Sequence, residues 1–111
     1  MTKTLFGIAV LALAIASTAL AGTNSLPLRD PAGLARVHQE YVNRRIDPAG
    51  RCRVLTRYAV RCVSAYRGMR VIEVLSKAGT HRLRSAISFD GGKPRIDIFV
   101  LRPSNTLYPY V

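Results

Sequence analysis

Residues 51–67 read RCRVLTRYAVRCVSAYR and decide the fold, because their polarity alternates from one residue to the next. The apolar residues and cysteines share one parity: Cys52, Val54, Tyr58, Val60, Cys62 and Tyr66. The arginines share the other: Arg51, Arg53, Arg57, Arg61 and Arg67. Alternation with a period of two is typical of a β-sheet that has one dry face and one solvated face.

The two cysteines indicate how this segment folds. In a helix, Cys52 and Cys62 would be roughly 15 Å apart, and in a straight strand roughly 33 Å apart. A disulfide tolerates only about 7 Å between the two α-carbons. A disulfide therefore predicts a hairpin centred near Arg57. Residues 56–58 contain none of the usual turn formers, however, so a long bent strand with free cysteines, or a helix, remains the alternative.

The first 21 residues have the pattern of a secretory signal peptide. Lys3 gives a basic start, residues 5–16 are apolar, and residues 19–21 read Ala-Leu-Ala, a small-x-small cleavage pattern. The apolar run is too short to span a bilayer. We expect cleavage near Ala21 and a soluble periplasmic or secreted chain without a transmembrane segment. An even number of cysteines in an oxidising compartment supports the Cys52–Cys62 disulfide.

A helix is predicted upstream of the alternating segment. Residues 22–29 are expected to form an extended arm, and a single domain is expected over 30–111. Asp30 is a good N-cap and Pro31 suits the first helical position. Apolar residues recur at spacings of three and four, which predicts a helix from about Pro31 to Arg45 with one apolar stripe. The stripe consists of Leu34, Val37, His38, Tyr41 and Val42.

Further strands are predicted downstream, over about 69–75, 82–89 and 95–100. Asp90-Gly91-Gly92 is a strong hairpin signal. The tail over 107–111, rich in Tyr, is expected to pack on the sheet as a flap or to be captured as an extended peptide. The sequence thus predicts an α+β domain in which one N-terminal helix packs on a four- to five-stranded antiparallel meander.

The charge of the chain predicts an anionic partner. There are 17 Lys and Arg against 6 Asp and Glu, a net charge of +11, which becomes +10 when Lys3 is removed with the signal. Such a chain attracts polyanions, and Arg grips carboxylate or phosphate with two hydrogen bonds. If the helix covers the apolar face, the opposite face carries the arginines: Arg51, Arg53, Arg57, Arg61, Arg82, Arg84 and Arg95. This face is either an anion-binding surface, with Arg53, Arg57, Arg61, Arg82, Arg84 and Arg95 as contacts, or a solvated surface.

Catalytic and metal-binding patterns are weak. His38 and His81 are far from the two cysteines in the sequence and match no zinc spacing. His38 also falls on the apolar stripe, as a core histidine would. An exported basic α+β domain resembles the small microbial ribonucleases, which place a Glu base, then Arg residues, then a His acid. Glu73 and either Arg82 or Arg84 can be matched to this order, but no His follows Arg84, so the acid is missing.

The sequence therefore predicts a small exported basic binding protein that is not catalytic and needs no cofactor. Its expected partner is an acidic protein or an anionic envelope polymer, as for an inhibitor, immunity or accessory protein. One alternative is a subunit of an envelope assembly, with the sheet edge or the tail as its contact. The other is a small secreted hydrolase or nuclease that uses His81 and Glu73.

Overall fold

The computed structural model describes residues 26–111. The predicted signal peptide, its cleavage site and the beginning of the arm lie outside the described residues. One helix, α1 (Pro31–Arg45), precedes five strands: β1 (Arg51–Thr56), β2 (Ala59–Tyr66), β3 (Met69–Gly79), β4 (Arg82–Phe89) and β5 (Arg95–Val100). The strands form one antiparallel sheet in the order β1-β2-β3-β4-β5. The predicted α+β fold is confirmed.

Helix α1 begins and ends where its sequence signals place it. The Asp30 carboxylate accepts a hydrogen bond from the Gly33 N–H at 3.0 Å, and Pro31 occupies the first turn. At the other end, the Asn43 amide donates to two backbone carbonyls in the loop that follows, those of Asp47 and Gly50. These bonds fix the loop against the end of the helix, where the Asp47 carbonyl also accepts from the Gly50 N–H at 2.9 Å, so the chain can turn directly into β1.

The segment 51–67 folds as the predicted hairpin. Cys52 and Cys62 lie directly opposite each other on β1 and β2 and form a disulfide, with α-carbons 4.0 Å apart. This excludes both the helix and the long strand with free cysteines. The turn works without Gly or Asn because the Thr56 hydroxyl accepts from the Tyr58 N–H at 3.0 Å. The Arg57 carbonyl also accepts from the Leu28 N–H at 2.9 Å, which ties the N-terminal arm to the turn.

The β2–β3 and β4–β5 connections use left-handed backbone. Arg67 and Gly68 have φ of 51° and 79°, as a two-residue hairpin turn of the primed type requires. Asp90 and Gly91 have φ of 50° and 76°, and the Asp90 carboxylate accepts from the Arg70 N–H at 2.8 Å. The predicted hairpin at 90–92 is therefore confirmed.

Strand β3 is longer than the sequence predicts. It was expected to cover about 69–75, yet it continues to Gly79. Lys77 pairs with Leu83 and Gly79 with Arg82, so Ala78 between them is an extra residue without a partner on β4. Such a bulge bends the strand while the pairing continues on both sides of it.

The core lies between α1 and the sheet and is closed by the C-terminal tail. Its most deeply buried large side chains are Leu34 on the helix and Val60 and Leu75 on the sheet. The tail forms a short 3-10 helix, Tyr108–Tyr110, and Val111 is buried in the same core. It packs on the domain as the flap alternative predicts, because the Tyr110 carbonyl accepts from the Asp30 N–H at 3.1 Å. Within residues 26–111, no helix has the length and apolar character needed to cross a bilayer.

Candidate binding sites on the two faces of the sheet

The strand register assigns every strand residue to one of two faces. The inner face, which α1 covers in part, contains the cross-strand row Cys62, Glu73, Ile87 and Arg95. The outer face contains the next row along the strands, Arg61, Val74, Ala86 and Ile96. Helix α1 packs over β1 and β2, so the inner face of β3 to β5 is left partly open.

Three polar side chains meet on the inner face, beside the edge of α1. The Nε2 atom of His38 lies 2.8 Å from Oε1 of Glu73, and the Ser85 hydroxyl donates to Oε2 of Glu73 at 2.6 Å. They come from α1, β3 and β4, and all three side chains are largely buried. We call this group the His38–Glu73–Ser85 triad. Its serine donates to the carboxylate, so the histidine is not placed to take the serine proton.

Glu73 is ionised at neutral pH in spite of its surroundings. Burial raises the pKa of the Glu73 carboxyl, but hydrogen bonds from His38 and Ser85 and the charge interaction with His38 lower it. The net pKa lies below the ordinary value. A charged carboxylate is unusual in an apolar core, and buried groups with a shifted pKa are found more often at functional sites than elsewhere.

The triad lies at the wall of an open groove of about 570 Å³. Helix α1 contributes Val37 and Tyr41, the sheet contributes Ile87 and Phe99, and the segment 105–107 closes the far end. The groove is lined mainly by apolar side chains, with Glu73 and Asp97 as its carboxylates among residues 26–111. Concave apolar sites of this size with a few converging polar groups are where small ligands bind.

A metal site at the triad is not supported by its ligand set. Donor atoms of His38, Cys62 and Glu73 lie within 4.8 Å of one another. Cys62, however, is bonded to Cys52 and offers no thiolate. The two remaining donors are hydrogen-bonded to each other, whereas a structural zinc needs four ligands.

The outer face carries a cluster of arginines, which we call the outer arginine cluster. Among the described residues its members are Arg51, Arg53, Arg61, Arg70, Arg82 and Arg84. Arg53 and Arg61 lie directly opposite each other, as predicted. Of the predicted contact residues, the structure thus places Arg53, Arg61, Arg82 and Arg84 on one face, with Arg53 and Arg61 as direct neighbours. Arg70 belongs to the same face and was missed. Strand β3 is apolar on both faces apart from Arg70 and Glu73, so its sequence shows no alternation by which either residue could be assigned to a face.

Arg95 and Arg57 do not belong to this cluster. Arg95 was predicted on the outer face, which is wrong: it pairs with Ile87 and therefore lies on the inner face. There its Nε lies 3.6 Å from the Asp97 carboxylate. Arg57 occupies the β1–β2 turn, with its guanidinium over the Tyr58 ring at 5.3 Å from the centroid.

An apolar stripe beside the outer arginine cluster was also missed. The expected position of Arg95 on the outer face implies that the even-numbered residues of β5 face the core. The register instead places Ile96, Ile98 and Val100 on the outer face, where they are 44%, 51% and 61% exposed. Val74 and Ile72 of β3 continue this stripe toward the arginines. The signal available in the sequence is that both parities of β5 contain bulky apolar residues, so alternation alone does not choose a face.

The structure separates the two residues of the hydrolase alternative. His81 lies in the β3–β4 turn, is half-buried and stacks on Tyr108 with ring centroids 3.8 Å apart. Glu73 lies in the middle of β3, roughly 20 Å along the strand from that turn. The histidine that Glu73 contacts is His38, the predicted core histidine.

No protein-family profile, curated protein or solved structure matches the chain.

Proposed function

We propose that this chain is an exported binding protein whose outer sheet face recognises an acidic protein. The observation that carries the proposal is the charge of that face. Within residues 26–111, no Asp or Glu of the five strands has outer-face parity, whereas six arginines do. Glu73 and Asp97, the acids of the strands, both lie on the inner face.

Within the described residues, the acids of the domain offset the charge of the outer arginine cluster weakly, because Asp47 interacts with Arg51 only beyond ion-pair distance. Among residues 26–111, the ion pairs within 4.0 Å are His38–Glu73 and Arg95–Asp97, and neither includes a member of the cluster. Arg53 and Arg61 are directly opposed, and like charges in that position destabilise a sheet. Carboxylates supplied by a partner would relieve this repulsion and satisfy several guanidinium donors at once.

The apolar stripe favours a protein over an anionic polymer as the partner. Ile96, Ile98 and Val100 are about half exposed and lie on the same face as the arginines. A polyanion would leave these side chains in water. Protein interfaces combine an apolar centre with a polar rim and are enriched in Arg, which is the composition of this face.

Export is supported by two features of the chain. Residues 1–21 have the signal pattern, and Cys52–Cys62 is a disulfide, which persists in oxidising compartments. An inhibitor, immunity or accessory protein of the envelope fits this combination of export, small size and an unpaired basic face.

The proposal is tested with two double variants of equal charge. Arg53→Gln with Arg61→Gln removes two charges from the outer arginine cluster, and Arg44→Gln with Arg45→Gln removes two from the exposed end of α1. The mature chain and both variants are used as bait on periplasmic extract at low and high salt. We expect capture of an acidic protein that is lost with the outer-face variant, kept with the helix variant and weakened by salt.

The same pair of variants separates binding from folding. Removing two opposed charges leaves the free domain no less stable, so the outer-face variant should unfold at the same or slightly higher urea concentration. Equal loss of capture by both variants would mean that only net charge matters. Capture of a polysaccharide or nucleic acid instead of a protein would contradict the choice of partner.

A further inference from the structure

We infer that the groove on the inner face is a second binding site, which takes a small apolar molecule that carries an amine. This site is independent of the outer arginine cluster, since the sheet separates the two. The groove holds about 570 Å³, within the range of roughly 300–1,000 Å³ typical of small-ligand sites.

The walls of the groove fit an apolar body with an aromatic or aliphatic group. Tyr41 of α1 and Phe99 of β5 both line it and are 52% and 49% exposed. Large aromatic side chains in a groove contribute much apolar area that a ligand would cover. Ile87 and Leu107, which are half-buried, complete the apolar wall between them.

The charge of the groove excludes an anionic ligand and favours a cationic one. The chain has 17 Lys and Arg, yet none of those in residues 26–111 lines the groove, whereas Glu73 and Asp97 do. A ligand carboxylate would be repelled by both. An ammonium group, in contrast, is attracted by the carboxylates and by the faces of nearby aromatic rings.

Glu73 is the anchor for the ligand amine. Its two oxygens each accept one hydrogen bond, from His38 and Ser85, and an ionised carboxylate has about four acceptor positions in all. Two positions are therefore left for donors that come from the groove. An apolar ligand without a donor would cover these positions and leave them unsatisfied.

The positive charge of the domain does not prevent this binding. The outer arginine cluster lies on the other face of the sheet, and charges farther apart than about 8 Å are largely screened at physiological salt. Arg95 lies nearer, but it pairs with Asp97 and its side chain is 78% exposed. This pairing weakens the attraction of Asp97 for a ligand ammonium group, so Glu73 is the main contact for the amine.

Three probes of the same size and different head group test the inference: 4-phenylbutylamine, 4-phenylbutanol and 4-phenylbutyrate. Their affinities for the folded chain are measured by NMR titration, which also shows whether the amides of Glu73, Ser85 and Phe99 shift. We expect the amine to bind about 10- to 100-fold more tightly than the carboxylate, the effect of one hydrogen bond to a charged group. The alcohol should lie between them.

Variants locate the site and its anchor. Glu73→Gln keeps an acceptor but removes the charge, so the preference for the amine over the carboxylate should fall to about 3-fold or less. Phe99→Ala removes an exposed wall and should weaken all three probes alike. Because Glu73→Gln acts inside the core, Asp97→Asn at the rim serves as a second charge variant, which should reduce the preference only slightly.

Two results would overturn the inference. One is that the carboxylate binds wild type as tightly as the amine. The other is that no probe shifts the resonances of the groove at millimolar concentration. Neither result bears on the acidic partner, whose test uses the other face of the sheet.

Discussion

Replacing Cys52 and Cys62 together with Ala is expected to lower the free energy of unfolding by about 3 kcal/mol. In the chain-entropy account, a disulfide that closes a loop of this length restricts the unfolded chain by that amount. A domain of this size gains only a modest core, so the loss is a large share of its stability. The melting temperature should fall by roughly 12–24 °C, measured by circular dichroism.

The reduced wild-type chain is the matched control for this prediction. Under dithiothreitol it keeps both sulfur atoms in the core but loses the covalent link. Reduced wild type and the double variant should therefore be destabilised to a similar extent. If reduction alone costs less than about 1 kcal/mol, the link matters little and the loss in the variant comes from the packing of the buried Cys62 side chain.

The elements with local signals could be predicted from the sequence. The cap at Asp30 and the proline at Pro31 define where α1 begins, and the apolar stripe defines the face that it buries. The two cysteines define the β1–β2 hairpin, because their pairing is compatible with only one fold of the segment. In each case the residues that determine the element lie close to one another in the sequence.

The face of β5 could not be predicted in this way. Shifting a strand by one residue moves every side chain to the other face, and the register depends on the connection between the strands. The connection from Asp90 to Pro94 sets Ile87 opposite Arg95, so the odd-numbered residues of β5 face inward. Ile98 and Phe99 are both bulky and apolar, so the sequence pattern did not show which of them faces the core. The error moved Arg95 to the wrong face and concealed the apolar stripe.

The groove depends on contacts that are distant in sequence. His38 and Glu73 are 35 residues apart, and only the packing of α1 on the sheet brings them together. A weak signal exists: a histidine interrupts the apolar stripe of the helix, and Glu73 shares the parity of the buried Val71 and Leu75. Two polar residues on facing apolar surfaces are each costly alone, so their joint presence indicates that they pair.

Replacing Glu73 with Ala is expected to destabilise the domain by about 3 kcal/mol at pH 7. The change leaves the His38 nitrogen and the Ser85 hydroxyl buried without their partner, and a buried polar group that loses its hydrogen bond costs roughly 1–3 kcal/mol. Urea unfolding followed by circular dichroism measures the loss. Glu73→Gln should cost less, because its amide oxygen can still accept one of the two hydrogen bonds.

The pH dependence of stability distinguishes the charge of Glu73 from its hydrogen bonds. The pKa of the folded carboxyl lies below its ordinary value of 4.5. Above that value the carboxylate is charged in both states and its stabilising contribution is complete. Below it the unfolded chain binds the proton more readily, so stability falls until the folded carboxyl is protonated as well. Wild type should therefore lose stability as the pH is lowered below about 4.5.

Asp47 contributes in the same direction, and its variant serves as the control. Backbone N–H groups of Ala49 and Ala65 donate to its carboxylate and lower its pKa from 3.8. Asp47→Asn should remove the part of the stability loss at low pH that is due to protonation of Asp47. Glu73→Gln should remove the part that is due to protonation of Glu73, which begins at a higher pH because the ordinary pKa of Glu is higher. If Glu73→Gln shows the same decline as wild type from pH 7 to pH 3, the triad does not lower the pKa of the Glu73 carboxyl. The carboxylate would still be charged at pH 7, so amine binding in the groove is judged by the probe titration and not by this measurement.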